Sequence, residues 1–179
     1  MGRYRPPAPK KSPYITPQGY NRLQSESKAL WERRAHVTKA LSAAAAEGDR
    51  SENAEYIYRK KELREIDRRI RYLQKRLPEL KVVSQAPAQQ ERVFFGARLT
   101  LENEDGEEEG YRIVGPDEAE PKQGHISMDS PLARALLKRN LDDEVRVRTP
   151  TGERSYVILD ITYPHGGQET DPLPEPPSE

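Results

Sequence analysis

The chain lacks cysteine altogether and is poor in large apolar side chains, with one tryptophan and two phenylalanines among its 179 residues. Without cysteine, neither a disulfide nor a thiolate metal site can form. No apolar run approaches the roughly 18 residues that a membrane span needs, and the first residues contain no apolar signal core. We therefore expect a soluble cytosolic (cytoplasmic) protein that has no membrane partner.

Hydrophobic residues make up 34% of the chain and charged residues another 34%, so little apolar material is available for a core. A two-helix coiled coil accounts for this, because it buries only a narrow seam. The net charge is zero, but residues 1–80 hold 19 Lys and Arg against 10 Asp and Glu, whereas residues 81–179 hold 11 against 20. The basic first half suits a polyanion or an acidic surface.

Two long segments each carry an apolar repeat whose steps alternate between three and four residues. Such spacing places the side chains along one side of an α-helix. A short link containing Gly48 joins the segments, so the helices are predicted to form an antiparallel hairpin with residues 48–52 at its tip. At about 1.5 Å per residue, a helix of about 30 residues is roughly 40–45 Å long. The predicted seam consists of Tyr20, Leu23, Ser27, Leu30, Arg34, Val37, Leu41 and Ala44 in the first helix and Leu63, Ile66, Ile70, Leu73, Leu77 and Leu80 in the second.

The first helix carries a clear start signal. Thr16 followed by Pro17 is typical of an N-cap with proline at the first helical position. The helix is predicted to run from there to about Ala46. Ser27 and Arg34 interrupt its apolar seam, so the helices are expected to pair more loosely at these two positions.

Asp49 and Glu52 are the one acidic pair whose position asks for an explanation. Their spacing matches a capping box, with Ser51 as a competing N-cap, so the second helix is predicted to start there and to end near Leu80. As helix caps, these carboxylates would stabilise the hairpin by only about 0.3–1 kcal/mol. The alternative is a Mg²⁺ site. Two carboxylates do not complete six oxygen ligands, so another macromolecule would supply the rest, as expected of an accessory factor rather than a self-sufficient enzyme.

The second predicted helix is strongly basic, with nine Lys and Arg between Arg59 and Arg76 against three acidic residues. Five of the basic residues are spaced to form one stripe, which is predicted to lie beside the apolar seam. A solvated helix face usually mixes signs and this stripe does not, so we expect it to contact RNA phosphates, with an ordinary solvated face as the alternative. The basic stripe consists of Lys61, Arg64, Arg68, Arg71 and Lys75.

The apolar pattern changes from helical to alternating beyond the second helix. A turn is predicted at residues 103–106, and a short helix at Asp129-Ser130-Pro131, where a cap residue precedes proline. These elements predict a compact domain with a mostly antiparallel sheet and one short helix. Together with the helical hairpin, they place the chain in the α+β fold class. The predicted strands are 93–101, 111–114, 125–128, 145–148 and 156–163.

Composition divides the chain into five predicted parts. The outer two are rich in proline and in charge of one sign, which favours disorder. The parts are a disordered basic arm (1–14), a coiled-coil hairpin domain (15–83), a polar linker (84–92), the α+β domain (93–163) and a disordered acidic tail (164–179).

No self-contained catalytic motif is present. His36, His125 and His165 are scattered without the spacing of metal ligands. The chain has no glycine-rich phosphate loop and no nucleophile elbow. The residues therefore indicate a factor that assists another molecule's chemistry.

Several strings, in one order, carry a family resemblance: GDRSENAEY, KKELREIDRRIRYLQKRL, VFFGARLTLENEDG, RIVGPDEAE and ISMDSPLARALLKR. From about Ile15 to Tyr163, the chain resembles the Gre family of bacterial transcript cleavage (elongation) factors. The basic second helix and the FFGA and ENEDG strings are closest to its GreB subgroup, whereas DEAE is closer to GreA.

The resemblance implies an FKBP-like C-terminal domain that docks on the rim of the secondary channel of bacterial RNA polymerase. The coiled coil would enter the channel as a monomer. The tip acids would help to hold a Mg²⁺ shared with the polymerase, none being bound by the free protein, and would orient a water. The polymerase, not the factor, would then hydrolyse the 3′ end of backtracked RNA.

The residues implied by the resemblance are of three kinds. Asp49 and Glu52 match the catalytic, metal-sharing tip acids. The matching tip-support residues are Ser51, Asn53, Glu55 and Tyr56, and those of the docking motif are Asp129, Ser130 and Pro131. One departure is Asp142, which replaces a usual glycine before Asp143 and puts the local turn in doubt.

Three other functions are open on the sequence. A Gre-like inhibitor would occupy the same channel without promoting cleavage, but the tip acids keep the family's spacing. A prolyl isomerase would need an aromatic-lined pocket, which two Phe and one Trp support poorly, and fold alone does not give function. A plain RNA-binding coiled coil would leave the acidic C-terminal domain without a role.

Overall fold

The computed structural model describes residues 8–48 and 53–164, and it has the predicted α+β class. By its contacts the chain divides into a hairpin unit, residues 20–80, and a sheet unit made of residues 1–19 and 81–179. Half of the predicted basic arm, the tip acids and nearly all of the predicted acidic tail lie outside the described residues. None of the described helices combines the length and apolar character needed to cross a bilayer.

Two long helices form the hairpin. Helix α1 spans Pro17–Ala46 and α2 spans Ala54–Arg76, followed by a 3₁₀ turn at Leu77–Glu79. The Thr16 hydroxyl oxygen accepts a hydrogen bond from the Gly19 N–H at 3.1 Å, which confirms the predicted cap. The α-helix ends before the predicted Leu80, because proline inside the 3₁₀ turn cannot donate to a continuing helix.

The predicted apolar seam is confirmed, since every one of its positions is buried or half-buried. Val37 is 1% exposed and packs with Ile66 and Ile70 in a small cluster that Leu30 and Leu63 complete. This cluster is narrow, as expected for two helices that have only each other as partners. The fully buried seam residues are Leu23, Val37, Ala44, Ile66, Ile70 and Leu73.

Ion pairs between the helices supplement the narrow seam. Arg34, which interrupts the apolar repeat, places its Nε 2.7 Å from Asp67 Oδ1 on the other helix. The position expected to pair loosely is therefore bridged by opposite charges. Two further ion pairs join the helices, Arg33 with Glu62 and Arg69 with Glu26. In each, an arginine nitrogen lies 2.5 Å from a carboxylate oxygen.

The N-terminal segment belongs to the sheet unit rather than to a disordered arm. Strand β1, Tyr14–Ile15, pairs in parallel with β2, Lys81–Val82. The predicted limits of the arm and of the coiled-coil domain are thus wrong at residues 12–16 and 81–83. The backbone hydrogen bonds from Lys81 to Pro13 and from Val83 to Ile15 decide this, and no local pattern in the sequence indicates them.

The main sheet has five strands in the order β5-β4-β3-β7-β6. All its pairings are antiparallel except the parallel pair β4–β5, as predicted for a mostly antiparallel sheet. A short helix α3, Pro131–Leu136, precedes β6. The strands are β3 Arg98–Asn103, β4 Glu108–Val114, β5 His125–Ser127, β6 Glu144–Thr149 and β7 Gly152–Thr162.

The core of the sheet unit follows the alternation of the strands. Val145 and Val147 on β6 are buried while their neighbours are exposed, and Leu99 and Leu101 on β3 are buried between half-buried neighbours. Strand β3 starts at Arg98 rather than at the predicted Val93, because a turn with Gly96 at φ +87° precedes it. Ala133 and Leu136 of α3 close the cluster.

The turn before β6 has Asp142 where the resemblance implies a glycine. Asp142 has φ +66°, a left-handed conformation that glycine favours and that aspartate tolerates better than most residues. Its N–H donates to the Ile158 carbonyl oxygen at 2.9 Å. The substitution therefore leaves the turn in place.

A buried carboxylate anchors the start of α1 within the sheet unit. Glu118, between β4 and β5, is 7% exposed. Its Oε1 accepts from the N–H groups of Thr16 and Gly115, both at 2.9 Å, and its Oε2 accepts from the Thr16 hydroxyl at 2.6 Å. A Cβ on Gly19 would lie 1.6 Å from Glu118 Oε2, so glycine is needed for this close approach.

Glu118→Ala should destabilise the protein by about 2–4 kcal/mol, because it leaves two buried N–H groups without an acceptor. Glu118→Gln should cost clearly less, since an amide oxygen can still accept from both N–H groups while its NH₂ faces the Thr16 hydroxyl. Urea unfolding of both variants measures this. Glu91→Ala, an exposed carboxylate of the same unit, is the control. Equal stability of the Ala variant and the wild type would contradict the anchoring role.

Candidate functional site

Asn53 closes the described end of the hairpin from both sides. Its Oδ1 accepts from the Tyr56 N–H at 3.1 Å, which caps the start of α2. Its Nδ2 donates at 2.8 Å to the Ala44 carbonyl oxygen at the end of α1, which also accepts from the Glu47 N–H at 3.3 Å. One amide side chain therefore ties together the two helix ends that flank residues 49–52.

The N-cap at Asn53 corrects the predicted start of the second helix at Asp49 or Ser51. Asparagine is as good an N-cap as aspartate or serine, and only its amide can also donate to the opposite helix. Asp49 and Glu52 lie outside the described residues, so the capping box at these two positions stays a prediction. Gly48 has φ +137°, a positive-φ conformation that glycine adopts most readily.

The other described tip-support residues lie on the first turns of α2. Glu55 accepts from Arg59 Nε at 2.7 Å. Tyr56 is half-buried, and the Lys60 ammonium lies 5.7 Å from its ring centre. These contacts hold basic side chains close to the tip. Ser51 lies outside the described residues.

Two exposed apolar side chains near the tip were missed by the sequence reasoning. Ile57 is 54% exposed and Tyr58 is 58% exposed. The Arg59 guanidinium lies 5.4 Å from the Tyr58 ring centre. Their positions outside the seven-residue repeat were the available signal.

Eight of the nine basic residues of α2 fall into two groups, and the ninth, Lys60, contacts the Tyr56 ring. Arg59, Arg69 and Arg76 each pair with a carboxylate. The five residues of the basic stripe are all exposed. Within the described part of the chain, none of those five forms an ion pair. The stripe is therefore a run of uncompensated positive charge.

The stripe lies farther from the seam than predicted. At about 100° per residue, the stripe from Lys61 to Lys75 is centred roughly opposite the buried positions Ile66 and Ile70. The prediction that it lies beside the seam is wrong, because the residue numbers of two stripes on one helix fix the angle between them, and here that angle is close to a half turn. The whole stripe thus faces outward.

Glu62 shows how the paired group is held. Burial works to raise the pKa of Glu62, but hydrogen bonds from Arg33 and Arg59 outweigh it and keep that pKa below its ordinary value. The Arg59 Nη1 lies 3.0 Å from Glu62 Oε2. This carboxylate thus keeps its charge and neutralises two arginines, neither of which belongs to the stripe.

The predicted docking motif lies in the sheet unit at the start of α3. Ser130 is the N-cap, with its Oγ accepting from the Ala133 N–H at 3.2 Å, and Pro131 occupies the first turn. Pro131 is exposed. The carboxylate of Asp129 accepts two hydrogen bonds from Ser12. The motif is thus a capped helix start with one carboxylate already oriented.

No group of three or more His, Asp or Glu side chains within residues 8–48 and 53–164 could hold a metal ion. The two acids assigned to Mg²⁺, Asp49 and Glu52, fall outside those ranges. Chemically, they are hard oxygen donors of the kind that Mg²⁺ prefers. Their suitability as ligands therefore stays a prediction from the sequence.

Comparisons with known proteins agree along most of the chain. The family model "Transcription elongation factor, N-terminal" matches residues 13–82, and "Transcription elongation factor, GreA/GreB, C-term" matches residues 88–163. Transcription elongation factor GreB of Pseudomonas aeruginosa is 59% identical over 165 residues, covering 92% of this chain and 98% of that protein. The GreB of Xanthomonas axonopodis pv. citri is 56% identical, covering 91% and 98%. The solved GreA factor homolog 1 of Thermus thermophilus is 27% identical, covering 83% and 97%, with a TM-score of only 0.38.

Asn53→Ala should destabilise the hairpin by about 1–2 kcal/mol, since it removes an N-cap and a cross-helix donor together. Asn53→Ser should recover only the cap. Thermal unfolding and amide hydrogen exchange at the ends of both helices measure the loss. Asn21→Ala, an exposed asparagine within α1, is the matched control. Unchanged exchange at the end of α1 in both Asn53 variants would show that the bond to Ala44 does not matter.

Proposed function

Because the chain belongs to the GreA/GreB family of transcription elongation factors, we propose that it acts on RNA polymerase by stimulating cleavage of the 3′ end of backtracked RNA. The hairpin enters the secondary channel of the polymerase, and the sheet unit docks at the rim of that channel. The polymerase supplies the catalytic centre, and the factor completes it. Arrested complexes are thereby returned to elongation.

The proposal rests on one observation: among the described residues, some basic residues of α2 pair with carboxylates, whereas those of the stripe do not. Within the described part of the chain, Arg59, Arg69 and Arg76 of α2 pair with carboxylates, whereas the five exposed bases of the stripe, which begins eight residues after Asn53, form no ion pair. An uncompensated basic face on a slender rod suits a single-stranded polyanion. A structural coiled coil would have no need to keep these charges free.

At the tip, Asp49 and Glu52 act as partial ligands. Mg²⁺ is usually held by one or two carboxylates together with substrate phosphates, so two acids on a narrow tip suit a site that the polymerase and the RNA complete. When bound there, Mg²⁺ supplies Lewis-acid stabilisation of the charge that develops on the reacting phosphate. Asp49 and Glu52 also accept hydrogen bonds from the attacking water and orient it, which is catalysis by position.

The inhibitor alternative differs in what the tip does after entry. An inhibitor needs only to fill the channel, whereas a cleavage factor needs both acids. The chain has both, in the GDRSENAEY string at the family's spacing. The chain's high identity to proteins named GreB also favours cleavage.

Asp49→Asn and Glu52→Gln should each reduce factor-stimulated cleavage by at least about 100-fold at limiting Mg²⁺, the order expected when one transition-state contact is lost. Each substitution removes a charge from a ligand with little change of shape, so binding to the polymerase should stay near the wild-type level. Release of short fragments from 3′-labelled RNA in a backtracked complex measures cleavage. Glu47→Gln, which removes an exposed charge beside the tip, is the matched control. Wild-type cleavage by either acid variant would leave Asp49 and Glu52 without a ligand role.

Arg64→Gln with Arg68→Gln should slow cleavage of deeply backtracked complexes more than of complexes backtracked by a few nucleotides. The stripe spans roughly 21 Å at 1.5 Å per residue, so only longer extruded RNA reaches it. If both arginines contact phosphates of single-stranded RNA, the salt exponent of binding should fall by about 1.4.

The matched control for the stripe is Lys28→Gln with Lys39→Gln, which removes the same charge from exposed positions of α1. Saturating protein should restore much of the stripe variant's rate, because Asp49 and Glu52 are unchanged. An equal loss on short and long extruded RNA, not relieved by more protein, would show that the stripe does not hold RNA.

A further inference from the structure

Within the sheet unit, Ser12 contacts Asp129, which is 117 residues away in the sequence. The Ser12 backbone N–H donates to Asp129 Oδ2 at 2.9 Å, and the Ser12 hydroxyl donates to Asp129 Oδ1 at 2.5 Å. Each carboxylate oxygen therefore has its own donor from a single residue. A pair of hydrogen bonds of this kind fixes the orientation of the carboxylate and not merely its place.

Ser12 is itself held by the residues that follow it. The Pro13 carbonyl oxygen accepts from the Lys81 N–H at 2.8 Å, and the Ile15 carbonyl oxygen accepts from the Val83 N–H at 2.9 Å. Tyr14 and Ile15 form strand β1 against β2. A residue placed directly before a paired strand brings its donors to Asp129 at little further entropic cost.

Asp129 is fixed from its own side as well. Its N–H donates to Ser127 Oγ at 3.1 Å, and the Ser130 N–H donates to the Ser127 carbonyl oxygen at 2.9 Å. The side chain is half-buried. A carboxylate has about four lone-pair sites, so two hydrogen bonds from Ser12 leave capacity for a donor on a partner.

We propose that Ser12 is a positioning residue of the polymerase-docking surface, acting through Asp129. This inference rests on the proposed function, since it requires that Asp129 meet the polymerase. Ser12 holds the carboxylate in the orientation in which it accepts from a cationic or N–H group on the channel rim. A side chain already ordered before binding loses less conformational entropy on binding.

The test measures the affinity of full-length variants for RNA polymerase. Ser12→Ala should weaken binding by about three- to tenfold, the range expected for ordering one side chain. The loss is limited because alanine keeps the backbone N–H bond to Asp129. Ser12→Thr keeps both donors and should restore wild-type affinity. Ser25→Ala, an exposed serine of α1, should have no effect.

A double-mutant cycle with Asp129→Asn distinguishes positioning from other causes. If Ser12 acts through Asp129, Ser12→Ala should cause no further loss of affinity in the Asp129→Asn protein. An equal loss in both backgrounds would overturn the proposal, as would wild-type binding by Ser12→Ala or by Asp129→Asn. Thermal unfolding of each variant identifies any loss of affinity that follows from unfolding.

The proposed function and this inference fail in different ways. A wild-type protein that neither binds the polymerase nor stimulates cleavage would overturn both. A wild-type protein that does both, together with an Asp129 variant that binds weakly and a Ser12→Ala variant that binds normally, would overturn only the role of Ser12.

Discussion

A two-helix hairpin has almost no interior, and this constraint decides how the rest of its surface is used. Its apolar seam fixes one side chain per turn on each helix. Register then depends on charges that meet across the seam, such as Arg34 with Asp67. Each such pair is partly exposed and contributes little to stability by itself. Together, the pairs neutralise the arginines that lie at or beside the seam, which are Arg33, Arg34 and Arg69. Within the described residues of α2, the five bases of the stripe lie outside these pairs.

In the sheet unit, two buried carboxylates hold neighbouring segments together by hydrogen bonds. Glu118 collects donors from the start of α1 and from the loop after β4. Glu109, 2% exposed, accepts from the Tyr111 hydroxyl at 2.6 Å and from Asn103 Nδ2 at 3.0 Å. Burial, and then the bond to Glu109, raise the pKa of the Tyr111 hydroxyl, so it stays a donor at any ordinary pH. An isolated buried charge is costly, and full hydrogen bonding offsets that cost.

Ser12 and Asp129 extend the same principle to the surface. There the carboxylate is only half-buried, so its hydrogen bonds to Ser12 orient it without hiding it. The tip follows a related logic through Asn53, whose amide satisfies one helix end with each of its two polar atoms. In both places a single small side chain makes hydrogen bonds that join two separate elements.

Periodicity made the helices and the seam predictable. Val37 and Ile70 are buried, as the seven-residue repeat predicts, and Thr16 caps the first helix, as the Thr16-Pro17 sequence predicts. The short strand β1 could not be predicted in this way, because its partner lies far along the chain and two residues carry no periodic signal. The N-cap at Asn53 could not be predicted for a different reason. Several residues that are good N-caps lie close together in the sequence, and only the hydrogen bond from Asn53 to the opposite helix distinguishes it from the others.

The basic stripe could be predicted from the sequence, whereas the contact between Ser12 and Asp129 could not. The spacing of the basic residues predicted the stripe, but only the structure shows that these five lack carboxylate partners within the described residues. The contact of Ser12 with Asp129 had no signal in the sequence, since both residues look like ordinary turn and cap residues. Long-range pairing decides such details, and local propensity does not.

The most direct test of the central claim is to add the protein to a purified, backtracked RNA polymerase complex that carries RNA labelled at its 3′ end. The account predicts release of short labelled fragments and, after nucleotides are added, resumed elongation from the new 3′ end. Binding of the protein to the complex without fragment release would contradict the account and would indicate a factor that only occupies the channel.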